Sequence, residues 1–268
     1  MISEQLAGKR IAITGGTGFV GTALIERLLR GAPGCELVLL VRPSKRHDAT
    51  ERVRREIFKN NAFDRLKADL KDTAEPFEAM VARRVRAIGG DVSTDGLGLN
   101  DADRALFASC DTVIHSAAAV AFDSPLDSAV EINLLGPVRI AETLNTLGVT
   151  PHLVAVSTCY VAGNRRGNAP EELVSEGPFD LGLNWRKEVA AARRLRSDTE
   201  AASRDPERLR GFRTQARKEL GAAGAPALAG KTEQLRERWV SDQLVEAGRA
   251  RAGVGRVNAV PTRASCRP

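Results

Sequence analysis

A short apolar run, Arg10-Ile11-Ala12-Ile13, gives way to Thr14-Gly15-Gly16-Thr17-Gly18-Phe19-Val20-Gly21. Thr22 to Leu29 then place their apolar residues at helical spacing. Strand, glycine turn and helix in that order commit the start of the chain to a βαβ unit, because a turn this tight between a strand and a helix needs residues without a Cβ. Glycines at 15, 18 and 21 let the turn bend, bring backbone N–H groups against a pyrophosphate and pack the helix closely on its strand. The segment is read as a dinucleotide site built from Thr14, Gly15, Thr17, Gly18, Phe19, Val20 and Gly21, with a purely structural turn as the alternative.

The rhythm continues to about residue 160. Strand candidates at Arg10–Thr14, Glu36–Val41, Val85–Gly89, Thr112–His115 and Leu153–Ser157 alternate with helical patterns. Such alternation predicts an α/β fold with a doubly wound, Rossmann-type parallel sheet, its ligands at the carboxyl ends of the strands. Between the second and third strands a charged insertion, residues 43–84, carries Val53, Ile57, Phe58, Phe63 and Leu66 at helical intervals and reads as surface helices. Residues 165–177 read as a loop, residues 185–220 as exposed helices, residues 221–230 as an Ala/Gly/Pro hinge and residues 231–251 as a further helix. The expected domains are a dinucleotide-binding domain over 1–165, a helical insertion or partial substrate region over 166–252, and an irregular tail over 253–268.

With 268 residues, 43% of them apolar, the chain can bury a sizeable core. No apolar stretch approaches the roughly 20 residues that span a bilayer, and the first residues have no signal-peptide core, so a cytoplasmic protein is expected. The net charge of +6 raises the question of nucleic acid, but the bases are interleaved with acids, as in Glu51-Arg52-Val53-Arg54-Arg55-Glu56. With eleven aromatics and no aromatic-basic platform, a solvated helix face is the better reading, and no nucleic-acid partner is expected. A basic surface also suits an anionic cofactor and a phosphorylated substrate carrier. Cys35, Cys110, Cys159 and Cys266 lack metal-ligand spacing and indicate neither a disulfide framework nor a metal site.

The second strand runs into Arg42, with Lys45 and Arg46 close behind. A basic residue there accommodates the 2′-phosphate of NADPH, where an acid would grip the ribose of NADH; the alternative is surface charge opening the insertion. Asp91, followed by Val92, sits where a carboxylate accepts from the adenine amine, unless it only starts a turn. After the fourth strand, His115-Ser116-Ala117-Ala118 offers small residues that let backbone approach a cofactor, with His115 either a ligand or a packed strand-end histidine. Asn133 is a poor helix former inside a helical pattern, which suggests a polar role.

Taken together, these segments resemble the extended short-chain dehydrogenase/reductase superfamily, and within it the fatty acyl-CoA reductase or male sterility type and the thioester-reductase domains. The residues that carry the resemblance are those of 14–21, Val41-Arg42-Pro43, Gly90-Asp91-Val92, His115 to Ala118 with Val120 and Phe122, Asn133-Leu134-Leu135-Gly136, and Val156-Ser157-Thr158-Cys159-Tyr160-Val161-Ala162-Gly163. The resemblance implies reduction of an acyl-CoA or acyl-carrier thioester by NADPH, with loss of the thiol, to an aldehyde that some members reduce again to an alcohol. It also implies that Thr158, with Ser157 beside it, supplies a hydroxyl to the reacting carbonyl, against turn capping as the plainer alternative.

The superfamily's proton donor is a Tyr with a Lys four residues on. The single tyrosine here, Tyr160, is followed at that spacing by Asn164, and residues 253–268 contain neither Tyr nor Lys. A C-terminally truncated chain, its last dozen or so residues read from a shifted frame, is therefore expected, with weak or no turnover. Other readings are an extended short-chain epimerase or steroid-type dehydrogenase, a non-catalytic NADP(H)-binding protein, and a nonfunctional fragment.

Overall fold

Residues 2–121, 123–158, 168, 170–173, 175–176, 182–221 and 224–253 are described by a computed structural model, the last three of them by backbone alone. After a short helix α1 (Ile2–Gln5), strand β1 (Arg10–Thr14) leads into helix α2 (Phe19–Gly31) and strand β2 (Glu36–Val41). The insertion follows as α3 (Ala49–Arg52), a π-helical turn (Val53–Ile57), a 3-10 turn (Asn61–Phe63), α4 (Asp64–Leu70) and α5 (Phe77–Arg84). Strand β3 (Val85–Gly89), helix α6 (Asp101–Ala108) and strand β4 (Thr112–His115) come next. A short helix α7 (Leu126–Ala129), a π-helical segment (Val130–Leu134), α8 (Leu135–Thr146) and strand β5 (His152–Ala155) complete the alternation. Helices α9 (Trp185–Ser203), α10 (Pro206–Leu220) and α11 (Ala225–Gly253) follow.

The five strands are parallel in the order β3-β2-β1-β4-β5. Alternation along the strands divides the core into two faces. Ile11, Ile13, Leu37 and Leu39 join Ile25 and Leu28 of α2 with Val53, Ile57, Phe58, Phe63 and Phe77 of the insertion. Ala12, Val38, Leu40 and Val113 join Phe107 of α6 with Ile140 and Leu144 of α8. The insertion is thus more than a surface appendage. Its apolar residues close one side of the sheet, where Phe58, Phe63 and Phe77 meet at ring separations of 5.2 to 6.0 Å.

The chain divides into two compact units, one of Met1–Ala118 with Glu131–Ser157, the other of Ala119–Val130 with Thr158–Pro268. The sheet belongs to the first. In the second, α7 packs with α9 and α11, and Phe212, Ala216 and Leu235 form a small core with Trp239, over which Arg208 stacks at 4.1 Å. The buried Arg236 links Glu200, Ser203 and Glu233 there. The expected hinge over 221–230 is shorter in the fold, because Ala225 already opens α11 and Pro226 is tolerated in a first helical turn. No described helix is long and apolar enough to cross a membrane.

Candidate dinucleotide site

The carboxyl ends of β1 and β4 meet at Thr14 and His115, which are paired in register. Gly15 turns the chain with φ +74°, and a Cβ built on it would stand 2.5 Å from the Ala117 nitrogen. Gly21 lies in the first helical turn, where a Cβ would come within 2.2 Å of the Gly15 carbonyl oxygen. Both positions admit glycine alone, and the turn is drawn tight between strand and helix. The Gly18 N–H donates to Gly15 O at 2.9 Å, and the Thr22 hydroxyl donates to Gly16 O at 3.0 Å. Gly18 is the N-cap of α2 and brings no side chain to it, while Thr17, Phe19 and Val20 are exposed. The orphan N–H groups of the first turn and the positive end of the helix dipole are consequently left to a ligand or water. These features fit a pyrophosphate, and the residues that would hold it are those of the turn itself.

At the next strand end Arg42 points its guanidinium toward Asp91 at 3.6 Å and is two-thirds exposed. Asp91 accepts from both the backbone N–H (2.8 Å) and the hydroxyl (2.7 Å) of Ser93 through one carboxylate oxygen. The carboxylate therefore does start a turn, and its other oxygen faces Arg42. Val92 is buried, and a Cβ on Gly136 would lie 3.5 Å from it and 3.6 Å from the His115 Nε2.

His115 is buried, and its Nδ1 lies 2.7 Å from the Thr14 hydroxyl. Burial pushes its pKa below the ordinary imidazole value. Thr14 Oγ1 also accepts from the Ala117 N–H at 3.3 Å, and the Ser116 hydroxyl donates to Thr14 O at 2.8 Å. Ala117 is half-buried, and the exposed Ala118 ends this stretch of the first unit. Asn133 is exposed on the π-helical segment, which is tied down because the buried Arg139 of α8 donates to Glu131 O (2.9 Å), to a Glu131 carboxylate oxygen (2.5 Å) and to Asp95 (2.8 Å).

The fold thus brings together Thr14, Gly15, Gly18, Gly21, His115 and Ala117, and separately Arg42 with Asp91. Ser157 and Thr158 follow β5 as exposed residues, Ser157 ending the first unit and Thr158 falling in the second. Phe122, Cys159, Tyr160, Val161, Ala162, Gly163 and Asn164, and the tail from residue 254 on, lie outside the described residues. Two residues that the sequence reading did not place in the site touch it: Thr22, through its hydroxyl on Gly16 O, and Gly136, against His115, while Ser116, read only as a small residue, bonds Thr14 O through its hydroxyl. Gly136 carried a signal as a glycine inside a helical pattern.

The NAD-binding family model described as "Male sterility protein" matches residues 13–246. The chain is 31% identical to "Fatty acyl-CoA reductase 8" of Arabidopsis thaliana, over 70% of this chain and 39% of that protein. It is 33% identical to "Fatty acyl-CoA reductase 1" of Mus musculus, over 67% of this chain and 33% of that protein. Among solved structures, the terminal R domain from the myxalamid PKS-NRPS biosynthetic pathway shares 31% identity at a TM-score of 0.47, covering 70% of this chain and 45% of that one. The chain spans between a third and a little under half of the length of these relatives.

Proposed function

The chain belongs to the male sterility protein family, and from that footing we propose that it is the dinucleotide-binding part of an NADPH-dependent reductase of acyl thioesters, either acyl-CoA or an acyl group on a carrier. Membership brings with it a nicotinamide cofactor. The choice of NADPH rests on one observation, the two-thirds exposed guanidinium of Arg42 at the end of β2. A guanidinium there pairs with a 2′-phosphate, and a carboxylate at the same place would repel it. In this proposal residues 14–21 hold the pyrophosphate, Asp91 and Val92 border the adenine, and His115, Ala117, Ala118 and Asn133 line the remainder.

Bound there, the nicotinamide supplies hydride for reduction of the thioester carbonyl. The chain's own contribution to that step is the hydroxyl of Thr158, aided by Ser157, donating to the carbonyl oxygen as negative charge develops on it. No Tyr-x-x-x-Lys pair occurs in these 268 residues, so binding and turnover are separate expectations. We expect this stretch to bind NADPH and to turn over weakly or not at all.

Titration of the purified protein with NADPH and NADH, followed by addition of a long-chain acyl-CoA while nicotinamide absorbance is recorded, tests both parts. Tighter binding of NADPH is expected. Tighter binding of NADH would overturn the role given to Arg42, and rapid acyl-CoA-dependent oxidation would overturn the expectation of weak turnover.

A further inference from the structure

We propose that Thr14 and His115 form a positioning pair, in which His115 acts through the Thr14 hydroxyl to hold the Ser116–Ala117 backbone against the glycine turn; the proposal rests on the reading of that turn as a dinucleotide site. The Thr14 oxygen has two neighbours, the Ala117 N–H at 3.3 Å and the His115 Nδ1 at 2.7 Å. Since the Ala117 N–H can only donate, the hydroxyl hydrogen goes to Nδ1, and the imidazole carries its own hydrogen on Nε2. Both side chains are buried, so neither bond has water to replace it.

What the pair holds is the wall of the turn. With Gly15 so close to Ala117 that a Cβ would stand 2.5 Å from its nitrogen, a shift of Ala117 is transmitted directly to Gly15 and from there to Gly21. Ser116 fastens the same backbone from the other side, through its hydroxyl at 2.8 Å and its N–H at 3.3 Å, both donated to Thr14 O. His115, at the edge of the site, thus acts on it as a positioning residue, through the backbone it holds.

The arrangement requires neutral imidazole. A protonated His115 donates at Nδ1, so the Thr14 oxygen would face two donors and its own hydrogen would lose its acceptor. Thr14 of β1 and Ala155 of β5 flank His115 in register, and Gly136 of α8 faces its Nε2, with Val92 beside that glycine; none of them is titratable. Burial alone, with no neighbouring charge, lowers the imidazole pKa. Above the ordinary value of 6.5 the ring is neutral in folded and unfolded chains alike. As pH falls below it, the unfolded chain takes up a proton that the folded one resists, so stability is lost first, and the pair itself breaks only when the folded ring is protonated.

The test measures dissociation constants for NADPH and NADH by nucleotide fluorescence between pH 8 and pH 5.5, with thermal unfolding followed in parallel. Thr14→Val keeps the shape and removes the hydroxyl, and is expected to weaken binding about tenfold at pH 8. Thr14→Ser and His115→Asn each retain a group able to make the bond and should restore affinity to within about threefold. Wild-type thermal stability should fall with acid below about pH 6.5 more steeply than that of His115→Asn, and affinity should follow only where the folded ring takes up its proton, with His115→Asn as the control for the 2′-phosphate's own titration near pH 6. Parallel profiles of thermal stability against pH in the wild type and His115→Asn would overturn the proposal even if Thr14→Val failed to fold, as would a folded Thr14→Val with wild-type affinity. Failure of the wild type to bind either dinucleotide at pH 8 would remove the cofactor reading itself, a result distinct from the loss of the pair's effect.

Discussion

Gly21 faces the carbonyl of Gly15 so closely that a Cβ built on it would lie 2.2 Å from the oxygen and 2.8 Å from the carbonyl carbon. The obstacle is backbone, so no side-chain rotation relieves it. Gly21→Ala must therefore push helix α2 off β1 or open the turn, and is expected to cost about 3 kcal/mol in chemical denaturation and to abolish measurable dinucleotide binding. Gly18→Ala is the comparison. Its Cβ would meet Gly15 O at 3.2 Å, where a shift of a few tenths of an ångström suffices, so most of the stability and part of the binding should survive. Equal losses in the two variants would show that the contact between Gly21 and Gly15 is not what sets the turn.

Arg42 and Asp91 stand 3.6 Å apart with the guanidinium largely in solvent, so little is lost from the fold by changing the arginine. Arg42→Glu should leave thermal stability within a degree or two of wild type and NADH affinity unchanged or higher, since an acid there can accept from the ribose. NADPH affinity should drop by about tenfold or more, since a 2′-phosphate then meets a like charge instead of a fork of donors. Isothermal titration with both dinucleotides reads the ratio directly. A ratio unmoved by the substitution would return Arg42 to the surface charges of the insertion.

Strands β1 to β4 were legible to the residue because each is a short apolar run cut off by Gly, Asp or a helix start, and in a parallel sheet covered on both faces nothing else explains such runs. β5 was less so. Its pairing ends with Ala155 opposite His115, and only the Val156 N–H, donating to His115 O at 2.8 Å, carries the ladder further. The apolar pattern through Val156 outlasts the pairing, and Val154 and Val156 remain exposed. The contact of His115 with Thr14 could not be read locally at all. Its partner lies 101 residues earlier, and the two meet because the register of β1 against β4 places Thr14 opposite it. The insertion's core role was hidden for a related reason: helical spacing shows that Val53, Ile57 and Phe63 share a face, but the sheet that buries it comes from other strands.

Arg84 closes the far end of helix α2. Buried at the end of α5, it donates to Leu29 O at 2.7 Å in the last turn of α2, to Ala32 O at 2.6 Å at its C-cap, which also accepts from the Cys35 N–H, and to Cys35 O at 2.9 Å beyond it. Arg84→Met keeps most of the volume and removes three charge-assisted hydrogen bonds from buried carbonyls, so a loss of about 3 kcal/mol in urea denaturation is expected. Arg84→Lys should recover less than half of it, because a single ammonium cannot reach three carbonyls spread around a planar fork. The glycine turn lies at the opposite end of α2, so dinucleotide affinity in the folded variants should stay near wild type. A large affinity loss would mean that α2 transmits its C-terminal anchoring to the site.

Glu51, in the first turn of α3, accepts from Arg54 at 2.8 Å through each oxygen and also from Arg55. Hydrogen bonds from Arg54 first and Arg55 second lower its pKa from 4.5 to about 2. A carboxylate more acidic in the folded than in the unfolded chain adds stability that is complete above the unfolded value and is lost as pH falls through the folded one. The window here runs from 4.5 down to about 2. Glu56 beside Arg52 and Glu75 beside Arg83 are lowered in the same way, so the acid limb of the wild type is a sum. Subtracting Glu51→Gln from wild type isolates one contributor. Urea midpoints measured from pH 6 to pH 2 should differ most at pH 6 and converge toward pH 2, and the difference at pH 6 should shrink in 1 M salt because the cluster is open to solvent. A difference that stayed constant over that range would mean that Glu51 titrates as an ordinary carboxylate, and that the geometry of α3 rather than its charge sets the effect.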